Sequence, residues 1–362
     1  MRIEKYNAGR LEEFIESDHY RTMPVLPVSP HRALSWLRNP RMHPEDILLY
    51  LLYDGGDLVA YRCILPDRHG DIRFGWLSGN WVDPGKRRQG HASRLFNEAF
   101  EDWGHQLMFT NYAPESKAVY DKTGRFALYR EKVGVRYYHR AVSEKLLGHR
   151  HGAFRRARPI LRLADGIINA WQDLRISAVQ KKIKPDFLHA EPVQAPDEPS
   201  LELMQRHDRL GFGMRDLETF EWITTFPWVV AGTNQDNRYY FTWIVPHYQL
   251  TCLKIWDQEG ALVGFLMLVT VGEKLTLPYV CFKPTASSTI NGILDHYLLA
   301  GRIAYVTTYN PEVMSILENS LVAWLGRRHM YQHYYATHEL IRQLPDGNRI
   351  FFQDGDGDVV FT

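Results

Sequence analysis

Apolar and polar positions alternate with two periods along this chain, and the period changes repeatedly. Over "LEEFIESDHY" and "SPHRALSWLRNP" the apolar residues recur at helical spacing, and Ser29–Pro30 form a cap and first-turn pair. "DILLYLLYDGGDLVAYRCILPD" predicts two strands around the turn Asp54–Asp57, and "DIRFGWLSGNWV" predicts a third. "GHASRLFNEAFEDWG" returns to the helical period, with Ala92, Leu95, Phe96, Ala99 and Trp103 on one face and Gly104 as the stop. "LMFTN" reads as a short buried strand, "PESKAVYDKTG" as a helix from Pro114 to Gly124, and "FALYREKVGVRYYHRAV" as one or two closing strands.

A basic helical stretch follows at 149–184, with Ile160, Leu161, Ile167, Ile168, Trp171 and Leu174 as an apolar stripe. "HAEPVQAPDEPS" has the composition of a linker. Beyond it, a helical region precedes strands at "RYYFTWIVP", "LTCLKIWD", "LVGFLMLVTV" and "KLTLPYVCFKP". The two halves repeat one order of elements. A strand ends at Asp83–Pro84, a helix follows, and a short strand runs into Thr110-Asn111-Tyr112-Ala113-Pro114-Glu115. Later a strand ends at Lys283–Pro284, a helix follows, and "IAYV" runs into Thr307-Thr308-Tyr309-Asn310-Pro311-Glu312. A shared T-x-Y-x-P-E at the same place predicts two copies of one α/β unit built on a mixed sheet. The expected division is a first domain at 1–142, a basic segment and linker at 143–200, and a second domain at 201–362.

Composition narrows the function classes. With 45% hydrophobic residues in 362, a full core is expected and global disorder is excluded. A formal charge of +1 gives no whole-chain case for nucleic acid. Cys63, Cys252 and Cys281 lack metal or redox spacing, so no metal is expected, and they read as reduced core residues of a cytoplasmic protein. The N-terminal residues carry no signal-peptide pattern, and no run matches a membrane span. For 149–184, Arg155, Arg156, Arg158 and Arg162 opposite the stripe leave two readings. One is peripheral contact with an anionic membrane; the favoured one is a helix whose stripe packs between domains.

The chemistry concentrates in "NWVDPGKRRQGHASRLF", Asn80–Phe96. A strand feeding a glycine loop and a helix start is an anion cradle: the first helical N–H groups have no internal partner, and the helix dipole is positive there. Gly90 and the small Ala92 permit close approach, and Arg87 and Arg88 add charge-assisted bonds. A plain basic surface turn is the competing account. The loop is neither a P-loop nor a G-x-G-x-x-G fingerprint. It resembles the pyrophosphate loop of the GCN5-related N-acetyltransferases (GNATs), V-x-P-x-x-[RQ]-x-x-G-x-[GA], met here by Val82, Pro84, Arg87, Gly90 and Ala92. The flanking elements match too, including Tyr120, Gly124 and Phe126 after the second helix. The resemblance covers about residues 1–140.

That resemblance implies an acyl-CoA-dependent N-acyltransferase with acetyl-CoA as donor and a small amine, amino sugar or peptide amine as acceptor. It implies that Trp81 and Val82 pair with the pantetheine arm, that Arg87, Arg88, Gln89, Gly90, His91, Ala92 and Ser93 hold the pyrophosphate, and that strands near Ser78 and Asn111 splay apart. Ser116 takes a small-residue position, and Tyr120 the place of the general acid. Three positions depart from the pattern: Ala113 stands where Asn is common, Arg125 is inserted, and the strand before the loop has no central carboxylate. The base is left open among Asp83, Glu115, His91 and a water relay near Ser78 and Asn80. The second copy has "KPTASSTINGIL" in place of the loop and is three residues shorter, so no CoA site is expected there. Trp222, Trp228, Tyr239, Tyr240, Trp243 and Tyr309 are candidates to line an acceptor groove. A Fem-type aminoacyl transferase and a non-catalytic CoA-binding sensor are the alternatives.

Overall fold

The computed structural model describes residues 1–110, 114–147, 156–180, 189–234, 236–300, 303–320, 322 and 324–358. It contains two compact units, and neither is a continuous stretch of chain. The first comprises Met1–Lys132, Ala195–Tyr248 and Gln332–Thr362; the second comprises Val133–Gln194 and Gln249–Tyr331. This differs from the sequential division at 142 and 200.

The first unit begins with β1 (Arg2–Tyr6), α1 (Ala8–Glu16), α2 (Asp18–Thr22) and α3 (Pro30–Leu37). Ser29 caps α3, its hydroxyl accepting from the Arg32 N–H at 3.2 Å. Strands β2 (Leu49–Asp54), β3 (Asp57–His69) and β4 (Ile72–Val82) are antiparallel neighbours; Gly55 and Gly56 supply the positive φ angles of the β2–β3 turn. Then come α4 (His91–Asp102), β5 (Leu107–Thr110), α5 (Pro114–Thr123) and β6 (Phe126–Tyr138). Leu95, Phe96, Ala99 and Phe100 of α4 pack on Leu52, Ile64, Leu77 and Phe109. Each Leu, Ile or Phe side chain so buried contributes ~1.5–3 kcal/mol. The sequence pattern matches these elements but omits β1, which pairs antiparallel with β2.

The second unit holds α6 (Ser143–Leu147), the helix Arg158–Gln180 and β7 (Ala190–Val193), which occupies part of the expected linker. In the first unit, "RYYFTWIVP" is mostly irregular: Tyr239 makes a single parallel bridge to Leu26, and β9 (Ile244–Val245) pairs with β8 (Val230–Ala231). The second unit resumes with β10 (Tyr248–Trp256), β11 (Leu262–Val271), β12 (Lys274–Thr276), β13 (Val280–Phe282), the helix Ser287–Ala300, β14 (Tyr305–Thr308) and the helix Pro311–Glu318. β15 (Gly326–Thr337) returns the chain to the first unit. Pro278 lacks the ladder N–H and divides "KLTLPYVCFKP" into β12 and β13.

The predicted repeat is visible in matched geometry. In the first unit β4 and β5 are parallel; in the second β12 and β14 are. Asp83 N–H donates to the Val59 carbonyl at 2.9 Å, and Lys283 N–H donates to the Val263 carbonyl at 2.8 Å. The closing strands, however, are exchanged. β5 pairs antiparallel with β15 (Tyr334 opposite Thr110), from the end of the second repeat. β14 pairs antiparallel with β6 (Thr308 opposite Val135), from the end of the first. This exchange makes both units discontinuous.

A second difference concerns residues 195–248, expected as the end of the linker (to 200) and the start of the second domain (from 201). Buried polar bonds hold them to the first unit: Arg215 donates to Asp67 at 2.7 and 3.0 Å, Arg41 to Thr219 at 3.0 Å, and the Trp222 indole to the Ser35 carbonyl at 2.6 Å. Asp67 also accepts from Arg41 and from the Trp76 indole, at 2.9 and 2.8 Å. Burial raises the Asp67 carboxyl, but the two guanidiniums and the indole outweigh it and hold it below the ordinary carboxylate range.

Candidate acyl-CoA site

The site is built where β4 parts from β5. Among the described residues their ladder holds only two pairs, Gly75–Leu107 and Trp76–Met108, although β4 continues to Val82. At this level β4 also bulges. Ile64 faces Leu77 and Arg62 faces Asn80, so Ser78 and Gly79 together oppose Cys63. A bulge turns the strand and re-aims its side chains. Gly79 is needed at this place, because a Cβ there would lie 3.3 Å from both the Cys63 sulfur and the Phe241 ring.

Past the bulge, β4 runs into a short 3₁₀ turn at Pro84–Lys86 and then α4. The Asp83 carboxylate accepts from the Gly85 N–H at 2.7 Å. Asp83, a candidate base on sequence, thus caps the turn. Arg88 and Gly90 both have positive φ, +65° and +83°. For Arg88 that is an uncommon conformation of the kind held at ligand sites. Gly90 is the N-cap of α4, with no side-chain cap and no acid in the first turn. A Cβ at Gly90 would meet nothing within 4 Å, so the space above the helix start is open. Arg87, Arg88, Gln89, Gly90 and Ser93 are exposed around it, and Ala92 is half-buried. His91 instead turns inward, and its Nε2 has no hydrogen-bond partner among the described residues. Trp81 is buried and stacked on Tyr61 at 5.5 Å, and the Val82 carbonyl accepts a long bond from Arg87 Nε at 3.4 Å. Asn111 lies outside the described residues, and Ser116 is placed only by its backbone in α5.

Tyr120 is buried among Phe96, Phe109 and Phe126, with ring centroids at 5.7, 4.5 and 5.5 Å. Its hydroxyl accepts from Arg62 Nη1 at 2.9 Å. Arg62 is fully buried, and among the described residues its Nε and Nη2 have no partner. Asn80 Oδ1 and Thr110 Oγ1, beside the parted strands, are also buried and unpartnered there. Orphaned buried polar groups are rare in folded proteins and call for an explanation.

Ser78 anchors a second group that sequence reasoning missed. Arg32 of α3 donates to the Ser78 hydroxyl and, at 3.1 Å, to the Tyr239 hydroxyl. Its guanidinium lies 4.5 Å from the Trp228 ring centroid. The Ser78 hydroxyl donates to Asp358 Oδ2 at 2.9 Å. Burial pushes the Asp358 carboxyl up, and Arg32 and Ser78 pull it partly back. Cys63 beside the bulge is no nucleophile, since burial pushes its thiol up to about 12. No local signal marks Asp358 or Arg32: they stand 280 and 46 residues from Ser78. Trp228 and Tyr239 were candidates on sequence, and the structure brings them to Arg32 in the first unit.

A family model described as the acetyltransferase (GNAT) family matches residues 12–132. Residues 12–132 are a GNAT domain. They include the parted strands, the cradle and Tyr120. Among solved structures, a tandem GNAT protein from the clavulanic acid biosynthesis pathway is similar over 93% of this chain and 97% of its own, at 14% identity and a TM-score of 0.50. That likeness concerns the fold, which is the mixed α/β architecture of tandem GNAT proteins. A probable N-acyltransferase from Enterococcus faecalis V583 aligns over 94% of this chain and 73% of its own, at 10% identity and TM-score 0.47. Saccharomyces cerevisiae N-myristoyltransferase with bound myristoyl-CoA aligns over 92% and 82%, at 9% and 0.48. No curated protein matches the sequence. No group of side chains suited to a metal ion occurs among the described residues.

Proposed function

We propose that the first unit transfers an acetyl group from acetyl-CoA to an acceptor amine by direct attack. The observation that carries this reading is the short β4–β5 ladder opening beside the uncapped, glycine-led start of α4. Exposed N–H groups and Arg87 and Arg88 suit a pyrophosphate there. The free edge of β4 beyond Trp76 suits the amides of a pantetheine arm.

The reaction needs a base for the ammonium proton, an oxyanion site and an acid for the departing thiolate. Asp358, held against Ser78 on the bulge, is suited to take the proton as nitrogen attacks the thioester carbonyl. Backbone N–H groups of β4 past the last ladder pair are suited to the oxyanion. The carbon–sulfur bond then breaks, and Tyr120 is suited to give its proton to the thiolate. Its oxygen accepts from Arg62, which leaves the phenol proton free to be donated beside a fixed positive charge. Asp358 replaces the base that the strand before the loop lacks.

Calorimetry with acetyl-CoA tests the reading. The native protein is expected to bind, and Gly90→Glu, which puts a side chain and a negative charge in the cradle, is expected to show no measurable binding. Thermal unfolding of the same variant checks that it folds. Equal binding by both proteins rules the site out.

A further inference from the structure

The helix Arg158–Gln180 is turned inside out. Its inward face is polar. Asp165 and Gln172 are buried, Asp165 accepts from the Glu144 N–H at 2.9 Å, and Asn169 exchanges bonds of 2.8 and 3.0 Å with the main chain of Ala141. Its outward face is apolar. Ile160, Leu163, Ile167, Trp171 and Leu174 follow one another at helical spacing and are 52–73% exposed. The described residues of the second unit leave this stripe uncovered. A stripe of this kind along a helix about 34 Å long is larger than a soluble surface ordinarily leaves in water.

The charges say what covers it. Across 149–184 there are nine Lys and Arg against two Asp. Both acids are turned from the stripe: Asp165 is buried, and Asp173 accepts from Arg140 at 2.6 Å. Arg156 is exposed, and Arg158 and Arg162 flank the start of the stripe and share one carboxylate, Glu144, at 3.9 and 3.4 Å. Arg175 lies over Trp171, 4.5 Å from the ring centroid. An apolar face with an interfacial Trp and long cationic side chains beside it matches the boundary of an anionic bilayer, where such side chains reach the headgroups. Among the described residues no helix is long and apolar enough to cross a membrane, so the helix would lie in the plane. A second copy of the chain is a poorer match. Within 149–184 the acids are Asp165 and Asp173, both held away from the stripe, and both ends of the segment are basic, so like charges meet in either orientation.

We propose that the helix Arg158–Gln180 is an in-plane anchor that docks this protein on anionic lipid. Flotation of the full chain with vesicles tests it, using phosphatidylcholine alone or with about one-third phosphatidylglycerol. Binding is expected only to the anionic vesicles and is expected to weaken at about 0.5 M salt. Leu163→Ser, Ile167→Ser and Trp171→Ser combined should lower partitioning by roughly tenfold or more, since binding scales with buried apolar area. All three side chains are exposed, so the thermal transition and acetyl-CoA affinity of this variant should be unchanged. Arg158→Glu with Arg162→Glu should weaken binding to anionic vesicles. The proposal is overturned if anionic vesicles do not retain the protein, or if the triple variant binds as the native chain does. It is equally overturned by a dimer that the triple variant dissolves, without vesicle binding by the native chain.

Discussion

The two repeats make the same strand-to-helix crossover, and only one makes it with room to spare. Both begin alike: the residue before proline is tied to the neighbouring strand, and a 3₁₀ turn closes through a 2.9 Å bond, Lys86 to Asp83 in one and Ala286 to Lys283 in the other. They then diverge. In the first unit Arg87–Gly90 intervene before α4; in the second the turn at Pro284–Ala286 runs directly into the helix Ser287–Ala300. Ala286 is buried, and Ser287 is already helical. The fold closes without the extra loop. Its positive φ angles and exposed arginines are therefore not required to close the crossover.

The first unit also sets a buried ion-pair cluster, Asp67 with Arg41 and Arg215, beside its apolar core, whereas the apolar cluster of the second runs from Val135 to Val322. Asp67→Asn breaks this contrast most severely. It leaves Arg41 and Arg215 buried without their carboxylate, and chemical denaturation at pH 7 should show a loss of about 3–5 kcal/mol. Because the folded pKa of Asp67 is depressed, its stabilisation is full above the ordinary value of 3.8 and disappears as the pH falls towards the lower folded value. Denaturation titrated from pH 7 to acid should therefore find the native–variant difference shrinking.

Asp358→Asn should cut kcat about 10²–10³-fold while acetyl-CoA affinity is retained. The elevated carboxyl requires the native kcat/KM to rise with pH through a value above 3.8, and that limb should vanish in the variant. Replacing Arg87 and Arg88 together with Ala should weaken acetyl-CoA binding about 10–100-fold in calorimetry, the effect of losing charge-assisted bonds. The matching change in the second crossover, Lys283→Ala, should alter it by less than about twofold. The last test concerns the stability of the second unit rather than ligand binding. A Cβ on Gly134 would stand 2.4 Å from the Thr308 carbonyl and 2.5 Å from the Tyr309 ring, so Gly134→Ala should cost about 1–3 kcal/mol in thermal unfolding.

What was legible in the sequence was what is local in the chain. Val82, Pro84, Arg87, Gly90 and Ala92 act at fixed spacing on one turn, so their pattern survives without the fold. Arg62, Arg32 and Asp358 meet the bulge only after β3, α3 and the C-terminal segment have folded together, and no spacing records that. The stripe from Ile160 to Leu174 was legible as amphipathic, but periodicity does not say which face turns inward. Asp165, Asn169 and Gln172 decide it through bonds to the segment at Ala141–Glu144. The exchange of β6 and β15 was hidden for a related reason: each closes a sheet of the same design, so hydrophobic pattern alone fits either partner.

That exchange sets a timetable for synthesis. The first unit acquires most of its strands by Lys132 but its closing strand only with Gln332–Thr337, about 200 residues later. At roughly 5–20 residues per second, the exposed edge of β5 waits about 10–40 s on the ribosome for its partner. During that interval β6 is the nearest strand of suitable design. A nascent chain that pairs the two makes a single-repeat domain, which must open again before β6 can join β14.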